Sequence, residues 1–246
     1  MDRVKIRVLS KPVLENPILI CGMPDAGFVG RLGPSHLAKG IGAKPLAELY
    51  SYYLPPQLIV NADGTADPFK CDFFFKSGKE DLIIFTGLAQ AESPEGQHII
   101  ADAVLQFAQG YGCNRTYTLG ALLTESISEQ TTVYGTATSV QLLDGLKTLG
   151  IERMTEGNIT GMNGLLFGLS QTLGMDGIGL FSETLGQLPD PRAARILIEI
   201  LAKILDLNPN LESLDEEVRK MEEASKNVLQ LESSEDARKK TSRYIT

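Results

Sequence analysis

The chain has 246 residues, 43% hydrophobic and 22% charged, with a formal net charge of −8, no Trp and two His. A chain of this length and balance buries about three-quarters of its unfolded surface, in one large or two small globular domains, without disulfide staples. The acidic surface argues against nucleic acid and anionic lipid as partners, and two histidines thin the supply of catalytic side chains.

The first ten residues, MDRVKIRVLS, lack the apolar core of an export signal, and no unbroken apolar run reaches about 18 residues, so neither a leader nor a membrane span is expected. Val4, Ile6 and Val8 recur at period two and predict a strand with one wet face. After Pro12 and Pro17, ILIC (Ile18 to Cys21) reads as a short strand buried on both faces. It feeds directly into a glycine-rich loop, ICGMPDAGFVGRLG, followed by a helix over RLGPSHLAKGIGA that Gly40 and Gly42 end.

PLAELY, QLIVN, FKCDFFFK and DLIIFTG then follow in quick succession, with Asp63-Gly64 and Ser77-Gly78 as turns. They read as antiparallel strands set into an otherwise alternating chain. In FKCDFFFK, Phe69, Cys71, Phe73 and Phe75 alternate with polar residues, and Phe74 breaks the pattern.

From Ser93 the texture becomes helix and strand in turn. Ser93 caps a helix that begins at Pro94, with Ile99, Ala103, Val104 and Phe107 at helical spacing. RTYTLGALLTE and TTVYGTA read as strands, SVQLLDGLKTLG as an amphipathic helix stopped by Gly150, and MNGLLFGLSQTLG as a buried helix stopped by Gly174. DGIGLFSE is a buried strand. DPRAARILIEILAKILDL is a helix capped by Asp190, with Ile196, Leu197, Ile200, Leu201, Ile204 and Leu205 along one stripe. This alternation implies a mainly parallel, partly mixed central sheet with helices on both faces, in a single α/β domain over 1–207.

Residues 208–246 are expected to form a C-terminal amphipathic helix and a short flexible tail. Leu211, Leu214, Val218, Met221, Ser225 and Val228 step by three and four, a narrow seam, and Ser213 with Glu216 makes a capping-box pattern. Two occupants of the seam stay open: the chain's own domain, or a neighbouring subunit through Leu211, Leu214, Val218, Met221 and Val228.

The glycine loop fails three nucleotide or nucleophile signatures at the residue that does the chemistry. Gly22 and Gly27 have P-loop spacing, but Phe28 and Val29 stand where Lys and Ser/Thr belong. Gly27, Gly30 and Gly33 are never two apart, as a dinucleotide fold requires, and no Ser makes a nucleophile elbow. Two readings remain: free N–H groups at the helix start hold an anion, or Gly30 simply packs close to the sheet.

Candidate ligand residues are Gly22, Asp25, Gly27 and Gly30 in this loop, with Glu92, Glu125 and Glu183 at strand exits, where open α/β sheets bind ligands. The three glutamates form a metal or acid–base site if they share a cleft, and act as caps or solvated charges if they do not. His36 and His98 lack partners at metal-ligand spacing and are expected on the surface. Cys21, Cys71 and Cys113 form no CxxC pattern and are expected to be reduced core thiols, which favours a cytoplasmic setting. No catalytic residue, metal site or cofactor is assigned.

The ordered set Gly22, Met23, Pro24, Ala26, Gly27, Val29, Gly30, Gly42, Ala43, Tyr50, Ser51, Pro55 and Pro56 resembles the proteasome-assembly-chaperone family in its archaeal and bacterial branch. FTGLAQAESPEG with Gln90, TLGALLTE, GNITGMNGLLFGLSQTLGMDGIGLFSET and DPRAARILIEIL extend the likeness over roughly residues 10 to 210. The resemblance implies a three-layer α/β/α fold shaped like nucleoside phosphorylases without their catalytic residues, self-association, and a non-enzymatic role with proteasome subunits, α-type as the candidate.

Some relatives are labelled ATP-grasp-like, but no set of phosphate lysines and magnesium ligands is evident here. Partners of the proteasome often end in hydrophobic–Tyr–any residue. This chain ends Arg243, Tyr244, Ile245, Thr246, which would shift the terminal carboxylate by ~3.3 Å if the tyrosine kept its slot. The competing expectation is a small-molecule or nucleotide-binding protein, hydrolase or ATP-dependent ligase with its cleft at the strand C-termini.

Overall fold

The computed structural model describes residues 3–127 and 131–223. Eleven strands are β1 (Val4–Val8), β2 (Ile18–Gly22), β3 (Lys44–Ser51), β4 (Leu58–Val60), β5 (Ala66–Pro68), β6 (Cys71–Lys76), β7 (Leu82–Gly87), β8 (Arg115–Leu123), β9 (Val133–Ala137), β10 (Glu152–Arg153) and β11 (Asp176–Thr184). Helices are α1 (Val29–Gly40), α2 (Pro94–Gln109), α3 (Val140–Leu146), α4 (Met162–Gly168), α5 (Pro191–Leu205) and α6 (212–223).

Nine strands form one mixed sheet in the order β1-β3-β6-β7-β2-β8-β11-β9-β10. Its centre, β7-β2-β8-β11, is parallel, as is the short edge pair β9-β10. The wing β1-β3-β6-β7 is antiparallel, as the run of strands over 44–87 predicts. β9 runs antiparallel to β11, so β9 and β10 lie at the opposite edge. β4 and β5 stand apart as a small exposed hairpin.

Alternation along β2 divides the core. Ile18 and Ile20 face α1, α3, α5 and Leu214 of α6, whereas Leu19 and Cys21 face α2 and α4. All five residues of β2 are buried, as its wholly apolar sequence requires. Phe74 breaks the alternation of β6 because it packs on the first core while Phe73 and Phe75 pack on the second. The three thiols are free and buried, and burial pushes each of them up, Cys113 to about 12, which disfavours the reactive thiolate.

Several local expectations shift. Helix α2 buries Ile100, Ala101, Val104, Leu105 and Ala108; of the expected stripe Ile99, Ala103, Val104 and Phe107, Val104 is buried and Phe107 packs partly on the core, so the face is shifted around the helix. On that face Gly96 packs against Tyr53, where a Cβ would lie 2.5 Å from the Tyr53 Cβ and 2.6 Å from its ring Cγ. The segments after Ser139 and Gly161 are α-helical only to Leu146 and Gly168 and then tighten to 3₁₀ turns; Gly150 and Gly174 end them in left-handed conformation. Ser170 drives the second tightening by donating its hydroxyl to the Phe167 carbonyl at 2.6 Å.

At the C-terminal end, the capping box does not form. The first helical carbonyl is that of Leu211, which accepts from Asp215, and Asn210 accepts the Glu212 N–H. Ser213 lies inside α6 and its hydroxyl meets His36 Nδ1 at 3.3 Å. His36 is therefore not a surface residue: it sits under α6, with Glu217 3.4 Å from its other nitrogen. Leu214 is fully buried and Leu211 packs beside it, so the start of the seam meets its own domain; Val218 and Met221 are half-buried. Val228 lies outside the described residues.

Leu214→Ala is expected to cost about 2–5 kcal/mol in urea denaturation, the range for truncating a fully buried leucine. Val218→Ala, at a half-buried position, is expected to cost under about 1 kcal/mol.

Candidate functional site

The parallel strands β2, β8 and β11 end together, and the chain leaves β2 through the glycine loop. Close approach explains two of its glycines. A Cβ on Gly22 would lie 1.9 Å from the Gly30 carbonyl, and one on Gly30 would lie 2.5 Å from the Met23 carbonyl. Strand end and helix start are thus packed backbone to backbone. Gly27 has φ 62° and Phe28 φ 55°. The left-handed region costs a bulky aromatic residue on the order of 1–3 kcal/mol, so Phe28 is held there by its surroundings.

The anion-binding position at the start of α1 is filled by the loop itself. Asp25 Oδ1 accepts the Gly30 N–H at 2.8 Å, and Oδ2 accepts the Ala121 N–H at 2.7 Å and Asn163 Nδ2 at 3.1 Å. One carboxylate thereby ties the first turn of α1, strand β8 and helix α4. Asn163 also grips the Met23 backbone, accepting its N–H at 2.8 Å and donating to its carbonyl at 3.0 Å. Gln90 completes the clamp: Nε2 donates to the Pro24 carbonyl at 2.6 Å and Oε1 accepts the Met162 N–H at 2.8 Å. Burial pushes the Asp25 carboxyl up from 3.8 to about 6, and its N–H donors limit the rise.

Beside Asp25 opens a cavity of about 340 Å³. Its walls are Leu122, Leu123, Met154, Ile159 and Phe181, with Asn158, Thr160 and Asn163 as polar neighbours. At the same end of the sheet four large apolar side chains are exposed: Phe28 (42%), Leu123 (65%), which also lines the cavity, Leu185 (44%) and Leu188 (73%). They share one rim, because Asp190 N donates to the Gly27 carbonyl at 2.8 Å and Leu123 lies over Gly186.

Of the sequence-predicted residues, the structure gathers Gly22, Asp25, Gly27 and Gly30 in this loop. The three glutamates are not gathered with them. Glu92 and Glu125 are exposed on separate turns. Glu183 is buried in β11 and accepts from Thr132 N–H at 3.1 Å and the Tyr134 hydroxyl at 3.4 Å. Among the described residues no group of three His, Cys, Asp or Glu side chains could hold a metal ion. Tyr244, Ile245 and Thr246 lie outside the described residues. Sequence reasoning did not single out Asn163, nor the cavity walls Met154, Ile159 and Phe181. The signal for Asn163 is a lone amide in an otherwise apolar helix start.

Asp25→Asn places an N–H donor against N–H donors and is expected to cost about 1–3 kcal/mol. Its pH dependence has a definite sign. Because the folded carboxyl titrates near 6 and the unfolded one near 3.8, the contribution of Asp25 is fully present below about pH 4 and falls as pH rises through 6. The stability advantage of the wild type over Asp25→Asn should therefore shrink by roughly 3 kcal/mol between pH 4 and pH 7. Chemical denaturation across that range checks it; an advantage that grows with pH would contradict it.

Comparison with known proteins follows this geometry. Residues 19–229 match the PAC2 family. Uncharacterized protein MJ1210 of Methanocaldococcus jannaschii is 35% identical over 233 residues, 92% of this chain and 90% of that protein. Among solved structures, Pyrococcus furiosus PbaB, described as an archaeal proteasome activator, superposes with a TM-score of 0.87 at 30% identity, covering 93% of this chain and 99% of its own. Pyrococcus furiosus PbaA, described as an archaeal homolog of proteasome-assembly chaperone, gives 0.80 at 28% identity, with 98% and 97% covered. These matches span the loop, its Asp25 clamp and the rim alike, and the chain belongs to the PAC2 family.

Proposed function

We propose that this chain is a non-catalytic, homo-oligomeric protein of the cytoplasm that binds proteasome subunits, with α-type subunits as the candidate, in the manner of an assembly chaperone. The observation that carries the reading is the exposed apolar rim of Phe28, Leu123, Leu185 and Leu188. Single exposed apolar residues are ordinary, but four converging on one end of a sheet suit a protein contact. The strained Phe28 supports it, since backbone strain is kept where it presents a side chain to a partner. The likeness to PbaA and PbaB supplies the class of partner.

A nucleotide is a poorer occupant of the same end. Asp25 already fills the anion position, and among the described residues no Lys or Arg lines the cavity to receive phosphates.

Size-exclusion and native mass measurements with recombinant 20S α subunits test the partner. A complex is expected with the wild type, weakened at least tenfold by Leu123→Asp with Leu188→Asp at an unchanged melting temperature; no complex with any α subunit would sink the reading. For self-association, Val218→Asp with Met221→Asp is expected to lower the native mass. An unchanged mass would remove the outer seam from the interface.

A further inference from the structure

The cavity beside Asp25 is electrically unbalanced. The carboxylate is largely buried, and its donors, from Gly30, Ala121, Asn163 and its own backbone N–H, are all neutral. Among the described residues, no Lys or Arg lines the cavity and no ion pair reaches Asp25. Burying an anion without a cation is costly, and the cost falls when a cation arrives. A carboxylate offers about four acceptor positions. From other residues Oδ2 accepts two donors and Oδ1 one, so Oδ1 is the less engaged oxygen.

That asymmetry selects the cation. A guanidinium binds carboxylates as a two-pronged fork and needs both oxygens, whereas an ammonium is a point charge satisfied by one. The walls select what carries it. Met154, Ile159, Phe181 and Leu122 present apolar surface, which suits a methylene stem. At about 340 Å³ the space lies at the lower end of small-molecule sites, roughly 300–1,000 Å³.

We propose that this cavity is a binding site for an alkylammonium group, with the charged nitrogen on Asp25 Oδ1 and the stem along Met154, Ile159 and Phe181. The same chemistry has two sources: a free small amine, or a lysine side chain presented by a protein that docks on the rim. The site itself does not depend on which protein that is, so it can be tested with the isolated chain.

The test is an amide NMR titration of the full chain at pH 7.5 with n-butylammonium chloride, 1-butanol and sodium butyrate. Saturable shifts are expected at Gly30, Ala121 and the Asn163 side-chain amide with butylammonium. The affinity should be at least tenfold above that for butanol, and butyrate should produce no response. Met154→Trp fills the cavity and leaves the bonds of Asp25 in place, so it should weaken butylammonium at least tenfold even if Asp25→Asn proves too unstable to titrate. Equal responses to butylammonium and butanol, or an unchanged affinity in Met154→Trp, would overturn the proposal. A lysine-bearing peptide that binds at least tenfold tighter than butylammonium, and loses that margin when the lysine is acetylated, identifies a protein side chain as the source; a weaker peptide identifies a free amine.

Discussion

The structure turns on where one negative charge sits. A strand that runs into a glycine loop and a helix leaves backbone N–H groups pointing at the loop, and in many α/β proteins a ligand phosphate satisfies them. Here the Asp25 carboxylate takes that position, bonded to Gly30 and Ala121 N–H groups and to Asn163. The consequence is mechanical as much as electrostatic. The anion is covalently part of the loop, so satisfying the helix start also fixes the loop to β8 and α4. Asn163 and Gln90 then hold Met23 and Pro24 from the far side, leaving little slack between β2 and α1.

That fixed loop determines what the sheet end presents. With its anion position internally occupied, the mouth offers an apolar cavity and an apolar rim in place of a phosphate cradle. Phe28, in left-handed backbone, is exposed at the same end of the sheet as Leu123, Leu185 and Leu188. Asp190 reinforces the neighbouring loop by capping α5 through the Ala193 N–H and accepting the Thr184 hydroxyl at 3.0 Å. A surface built on two tied loops is pre-organised, which lowers the ordering cost of binding a partner.

Much of the fold was legible because its signals are local. The apolar run of β2, the Ser93–Pro94 and Asp190–Pro191 starts, and Gly150 and Gly174 as stops all follow from short-range chemistry that tertiary structure did not override. Features set by distant contacts were not legible. The close packing of Gly96 on α2 depends on Tyr53, the helix start at Leu211 on Asn210, and the partial burial of His36 on α6. The sheet is parallel at its centre and again at its β9–β10 edge, since the 44–87 strands and the β11–β9 pairing add antiparallel neighbours between and beside them.

The site divides in the same way. The loop is readable from its glycines, and the failure of the phosphate motifs is readable from Phe28 and Val29. The carboxylate's partners are not: Ala121 and Asn163 lie 96 and 138 residues away. Glu92, Glu125 and Glu183 were grouped by their places at strand ends, but strand ends fan apart across a wide sheet, and only geometry separates neighbours from look-alikes. The most direct measurement is on the Gly30 and Ala121 amides by NMR, during titration with inorganic phosphate or ATP at neutral pH and then with acid. If Asp25 is the resident anion, neither phosphate compound moves these signals, and both shift together as pH falls through about 6. A saturable shift with phosphate or ATP at neutral pH would contradict it.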